Sequence, residues 1–85
     1  MTKNDDMGLP DPPGGYGWYF GPKLETSRSA MLIGYGMKCF GHVTKMRQYT
    51  FSTKGTMGEF VDVGEFATTR EAALALFAAL GLEAP

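Results

Sequence analysis

The chain has 85 residues, one Cys, one His and a formal net charge of −1, enough for one domain with a thin core of the size that buries about 60% of its surface. One Cys excludes an internal disulfide, and a single His beside it leaves too few nitrogen and sulfur ligands for a structural zinc site, so neither metal nor other cofactor is expected. No run approaches the ~20 apolar residues of a membrane span, and MTKNDDMGLPDPPGG lacks the apolar stretch of an export signal. With the free thiol, this points to a soluble cytoplasmic protein without a membrane partner.

The net charge hides an asymmetry. Between Thr26 and Gly58 there is no Asp or Glu, whereas Arg28, Lys38, Lys45, Arg47 and Lys54 supply five positive charges, with His42 among them. From Glu59 to Pro85 the balance reverses, and Glu59, Asp62, Glu65, Glu71 and Glu83 stand against Arg70 alone. Such halves either neutralise one another across neighbouring strands, through surface ion pairs of ~1 kcal/mol or less, or leave a basic face for an anionic partner.

In chain order, Met1 to Gly15 is rich in Pro, Gly and Asp and reads as a flexible arm, with residues 16–85 as the single domain. Tyr16, Trp18, Tyr19 and Phe20 follow as a cluster, either a strand or hook that covers the sheet or an anchor for a partner. GYGWYFG at Gly15 to Gly21 is echoed by GYGMKCFG at Gly34 to Gly41. Gly–aromatic–Gly suits kinked strand starts, and without a Gly-Lys-Ser/Thr neither copy is a phosphate loop. Leu24 to Ala30 reads as a polar connection, Met31 to Phe40 as a strand with a bulge, and His42 to Met46 as a turn. Arg47 to Thr53 alternates and is rich in β-branched and aromatic residues, so it predicts a strand. After the KGTMG loop, Glu59 to Phe66 is the last strand.

Thr68 and Glu71 stand at capping-box spacing, which predicts a helix from about Thr69. Gly81 suits its left-handed end, with Leu82 folding back towards Phe77. Ala73, Leu76, Phe77 and Leu80 form its apolar stripe, and the remaining surface, including Leu74 and Ala78, is nearly as apolar. That second face is either harmless exposed alanine or an interface with a second copy or a target. The order is β-β-β-α after an aromatic arm: an α+β, two-layer fold, a three- to four-stranded antiparallel sheet covered by one C-terminal helix.

Counting by twos fixes the candidate faces. With Met37, Cys39 and Val43 inward, Lys38, Phe40 and His42 face outward, and register decides whether Arg47, Tyr49 and Phe51 join them or fill the space under the helix. Rings interleaved with cations on an open sheet suit single-stranded nucleic acid, since bases stack on rings while Lys and Arg neutralise phosphates.

VGEFATTREAALAL at Val63 to Leu76 resembles the strand–helix junction of AP2-type DNA-binding domains, and is similar to the arm-type domains of tyrosine integrases, which place three strands beside one helix. The resemblance covers about 20 residues. On it Gly64, Phe66, Thr68, Glu71, Ala72, Ala73 and Ala75 match structural positions, and none is a DNA contact.

Catalysis is not expected, because His42 is the only histidine, no acid lies within sixteen positions of it, and no Ser or Cys sits in an elbow-like motif. The expected function is a small non-catalytic module that binds nucleic acid or a nucleoprotein. Its sheet face bears Lys38, Phe40, His42, Lys45, Arg47 and Lys54, flanked by Trp18 and Tyr19. The alternative is a protein–protein inhibitor or adaptor, of the kind small phage and mobile-element genes encode. It would act through the aromatic N-terminal segment and the Ala/Leu helix, with Leu74 and Ala78 at the interface, and that same helix face leaves a homodimer open.

Overall fold

The structure, a computed structural model, describes residues 7–21, 24–46, 49–56 and 59–83, without the side chains of Tyr49, Phe51, Ser52, Thr56, Glu59 and Phe60. Five strands and one helix follow one another: β1 (Gly17–Phe20), β2 (Ser27–Ile33), β3 (Cys39–Met46), β4 (Tyr49–Thr56), β5 (Glu59–Phe66) and α1 (Thr69–Ala79). Every strand pairs antiparallel with its neighbours in sequence, in the order β1-β2-β3-β4-β5, as short connections require. The α+β class and the single helix on one side of an antiparallel sheet are as expected. Among the described residues the strand count is five, and several segmentations change. Ser27 to Ala30, read as a connection, is the first half of β2. Met31 to Phe40 is not one strand but the end of β2, a short 3-10 turn at Tyr35–Met37, and the start of β3. His42 to Met46, read as a turn, belongs to β3.

The register sorts the side chains. Trp18 pairs with Leu32, Ala30 with Val43, Leu32 with Gly41, and Thr50 with Phe66. These residues lie on the side that α1 covers, where Trp18, Ala30, Leu32, Val43 and Thr50 are buried. The helix adds Thr69, Ala72, Ala73, Leu76 and Phe77, a stripe at helical spacing. Gly41 makes the close approach possible. A Cβ there would lie 2.6 Å from both Leu76 Cδ1 and the Thr53 carbonyl oxygen, so only glycine lets the helix settle at that depth.

Both helix ends follow the sequence. The Thr68 hydroxyl accepts from the Glu71 N–H at 3.1 Å. At the other end Gly81 takes φ +76, with Leu82 N–H donating to the Phe77 carbonyl at 2.8 Å and Gly81 N–H to Ala78 at 3.0 Å, the two bonds of a Schellman ending.

The arm departs from expectation. From Met7 onward it belongs to the domain. Met7 and Leu9 are in the core, the Thr69 hydroxyl donates to the Met7 carbonyl, and Trp18 Nε1 donates to the Pro10 carbonyl. The helix packs on β3, β4 and β5, so the flank over β1 and β2 needs another cover, and Met7 and Leu9 are the apolar residues at hand.

Candidate functional site

Of the residues expected on one basic face, the structure gathers few. Trp18 does not flank a face. It is a core residue, its ring 5.8 Å from that of Phe77, because its rung places it opposite Leu32. Tyr19, the next residue, points the other way and is 60% exposed.

Phe40 is also turned inward. Ile33 pairs with Cys39 and Leu32 with Gly41, which leaves Phe40 as the extra residue of a β-bulge. Its ring packs on the core edge-on to Tyr16, with centroids 5.3 Å apart. The same bulge shifts the period by one, so Cys39 and His42 share the face away from α1, with Sγ 4.0 Å from Nε2. Burial lowers the His42 pKa below its ordinary value of 6.5, and the Cys39 thiol donates to the Gly41 carbonyl at 3.5 Å.

The cations divide. Lys54, opposite Gly41 and so on the covered side, donates from Nζ to the Ala79 carbonyl at 3.4 Å, a favourable place for positive charge at a helix C-terminus. Lys45 is exposed on the same side near the other end of β3, directly across from Arg28. Lys38 is exposed just past the β2–β3 turn. Arg47 lies outside the described residues. Tyr49 and Phe51 pair through their backbones with Met46 and Thr44, and their side chains lie outside the description.

The face opposite α1 therefore carries Tyr19, Ser27, Ser29, Met31, Ile33, Cys39, His42, Thr44 and Thr53, with Asp62 and Glu65 on β5. Among its described residues there is no Lys or Arg. On the helix, Ala78 is exposed while Leu74 packs against the core, so the second apolar face narrows to little more than Ala78.

Among the described residues the most exposed apolar side chains are Tyr35, which the sequence reading did not single out, and Met37, which it expected to face inward. Tyr35 is 92% exposed and Met37 80%, both at the tip of the β2–β3 hairpin. The tip is well held. Gly34 N–H donates to the Lys38 carbonyl at 2.9 Å and Met37 N–H to that of Gly34 at 3.0 Å. Gly34 itself sits beneath the Tyr16 and Phe40 rings, where a Cβ would meet Tyr16 Cε2 at 2.6 Å. Met37 adopts φ +61, a conformation that side-chain-bearing residues rarely take. The signal in the sequence was the glycine-bracketed Tyr35, read as part of a strand.

Within β5, Gly64 takes φ +146 beside the Phe66 ring, next to Val63, the extra residue of a second bulge that faces Ser52 and Thr53. No group of three His, Cys, Asp or Glu able to hold a metal ion occurs among the described residues. No helix among them is long and apolar enough to cross a membrane. Comparison with protein-family models, curated proteins and solved structures finds no match.

Proposed function

We propose that the protein is a small non-catalytic binding module, of the inhibitor or adaptor kind, that engages another protein with the tip of its β2–β3 hairpin. What supports this reading is the exposure of Tyr35 and Met37 on a turn held from below by the Tyr16–Phe40 pair. Solvent-exposed apolar side chains on a held backbone are the economical form of a contact surface, since little ordering is left to binding. Tyr contributes a rigid ring with a polar tip, and Met adapts to irregular pockets. Lys38 beside them favours a pocket with an acidic rim.

The test is affinity capture from source cells with the wild-type chain and the Tyr35→Ala/Met37→Ala double variant. The expected result is a protein retained by the first at low and high salt and lost by the second. Equal retention by both would overturn the reading.

A second reading, an anionic partner such as nucleic acid, draws on the register that sets Arg28 opposite Lys45. A phosphate at this rung would lie beside two cationic side chains. This version predicts an oligonucleotide gel shift whose affinity falls by roughly 0.7–0.9 logarithmic units per phosphate contacted for each tenfold rise in salt. It also predicts that Arg28→Ala or Lys45→Ala abolishes the shift.

A further inference from the structure

The geometry points to a binding site for monovalent copper on the sheet face away from α1, with Cys39, His42 and Met31 as its ligands. In a regular strand, residues three apart face opposite sides. The bulge at Phe40 cancels that offset and brings Cys39 Sγ to 4.0 Å from His42 Nε2. With thiolate and imidazole bonds of about 2.3 and 2.0–2.1 Å, as first-row ions of this type form, one ion spans its two donors by about 3.6 Å at a tetrahedral angle and about 4.4 Å in line. The observed separation lies between these limits. Met31 stands directly opposite His42 on β2, at a Cβ separation of about 4.5–5.5 Å for such pairs, and its thioether is long enough to reach the same point.

The donor set decides the metal. Thiolate and thioether select monovalent copper, and imidazole is compatible with it. The adjacent positions on these rungs are Ile33, Met31 and Thr53, and the one carboxylate in line, Asp62, stands two strands away from His42, so calcium or magnesium finds no oxygen cage. On binding, the Cys39 thiol gives its proton to solvent and the sulfur takes the metal in its place, with no change of oxidation state. Bulges recur beside functional sites because they re-aim a side chain, and this one re-aims the chain's only Cys towards its only His.

The experiment supplies copper(I) as its bicinchoninate complex under ascorbate, without oxygen, and follows loss of the chelator's colour on adding the full chain. One copper per chain is expected. Cys39→Ser and His42→Gln should weaken uptake by more than the ~100-fold that losing an outer-shell partner can cost, and Met31→Leu by about 10-fold. Met37→Leu, at the hairpin tip, should leave uptake unchanged. Circular dichroism of each variant before metal is added identifies any that fail to fold. X-ray absorption on the wild-type chain gives a readout that needs no variant, a first shell of sulfur with nitrogen. The assignment is overturned if the wild-type chain leaves the colour intact, if folded Cys39→Ser or His42→Gln retains wild-type uptake, if Met37→Leu loses it, or if the copper shell contains oxygen in place of sulfur.

Discussion

Trp18 Nε1 donates a 2.9 Å hydrogen bond to the carbonyl oxygen of Pro10, and this bond ties the incoming chain to the first strand over a buried ring. Trp18→Phe keeps most of the packing on Phe77 but strands a buried carbonyl, for an expected loss of about 1–3 kcal/mol. Trp18→Ala also opens a cavity and should lose roughly 3–5 kcal/mol, much of the stability of a domain this small. Urea midpoints at constant slope measure both, and a Trp18→Ala midpoint within error of wild type would show that the indole is not part of the core.

Gly41 and Gly17 make a matched pair. At Gly41 a methyl group would collide with Leu76 and with the Thr53 carbonyl, whereas at Gly17 nothing lies within 4 Å. Overpacking of this kind costs typically about 1–3 kcal/mol, so Gly41→Ala should lose stability on that scale while Gly17→Ala stays within about 0.5 kcal/mol of wild type. Similar midpoints for the two would mean that α1 does not rest on Gly41.

Stability should also depend on pH through His42. Its pKa in the folded chain lies below the ordinary 6.5 because burial disfavours the imidazolium. Between the two values the unfolded chain binds more protons than the folded one, so stability falls as pH drops through 6.5 towards the folded value and is flat above it. Comparing the urea midpoint at a pH above 6.5 with one below it, in wild type and in His42→Gln, should show the acid-side decline reduced in the variant. An unchanged decline would assign the effect to other groups.

Tyr35 and Met37 should be dispensable for folding. Tyr35→Ala removes a ring that is 92% exposed and should change stability by less than about 0.5 kcal/mol. Met37→Gly relieves the φ +61 conformation, worth about 1–2 kcal/mol per residue, against about 0.5–1 kcal/mol of added chain entropy. Its melting temperature should therefore hold or rise. A substantial fall in either variant would give the tip a structural role and remove the main support for its acting as a contact surface.

The helix was legible in the sequence because its signals are local: Thr68 and Glu71 three apart, a stripe at helical spacing, Gly81 at the end. The last strand and the antiparallel sheet were legible for similar reasons. β2 was obscured at its start, where Ser27, Arg28 and Ser29 carry no apolar alternation and only Ala30 and Leu32 mark the covered side. The candidate face was misjudged at Phe40 because counting by twos holds only to the first bulge. Met7 and Leu9 look like strays among Pro, Gly and Asp, and their burial is decided by an uncovered flank assembled from distant parts of the chain. Tyr35 was read into a strand because Gly34 and Gly36 can serve a bulge or a turn equally, and the positive φ values at Gly36 and Met37 select the turn.

Met7 and Leu9 share one cluster with Phe77 and Leu76, so the two extremes of the described chain close on each other. During synthesis the sheet leaves the ribosome first, and until α1 has emerged the covered side of β3, β4 and β5 lacks the helix that packs on it. A nascent chain halted before Thr69 would present one greasy side of a meander to chaperones and proteases. Maturation of this domain therefore waits on the emergence of α1.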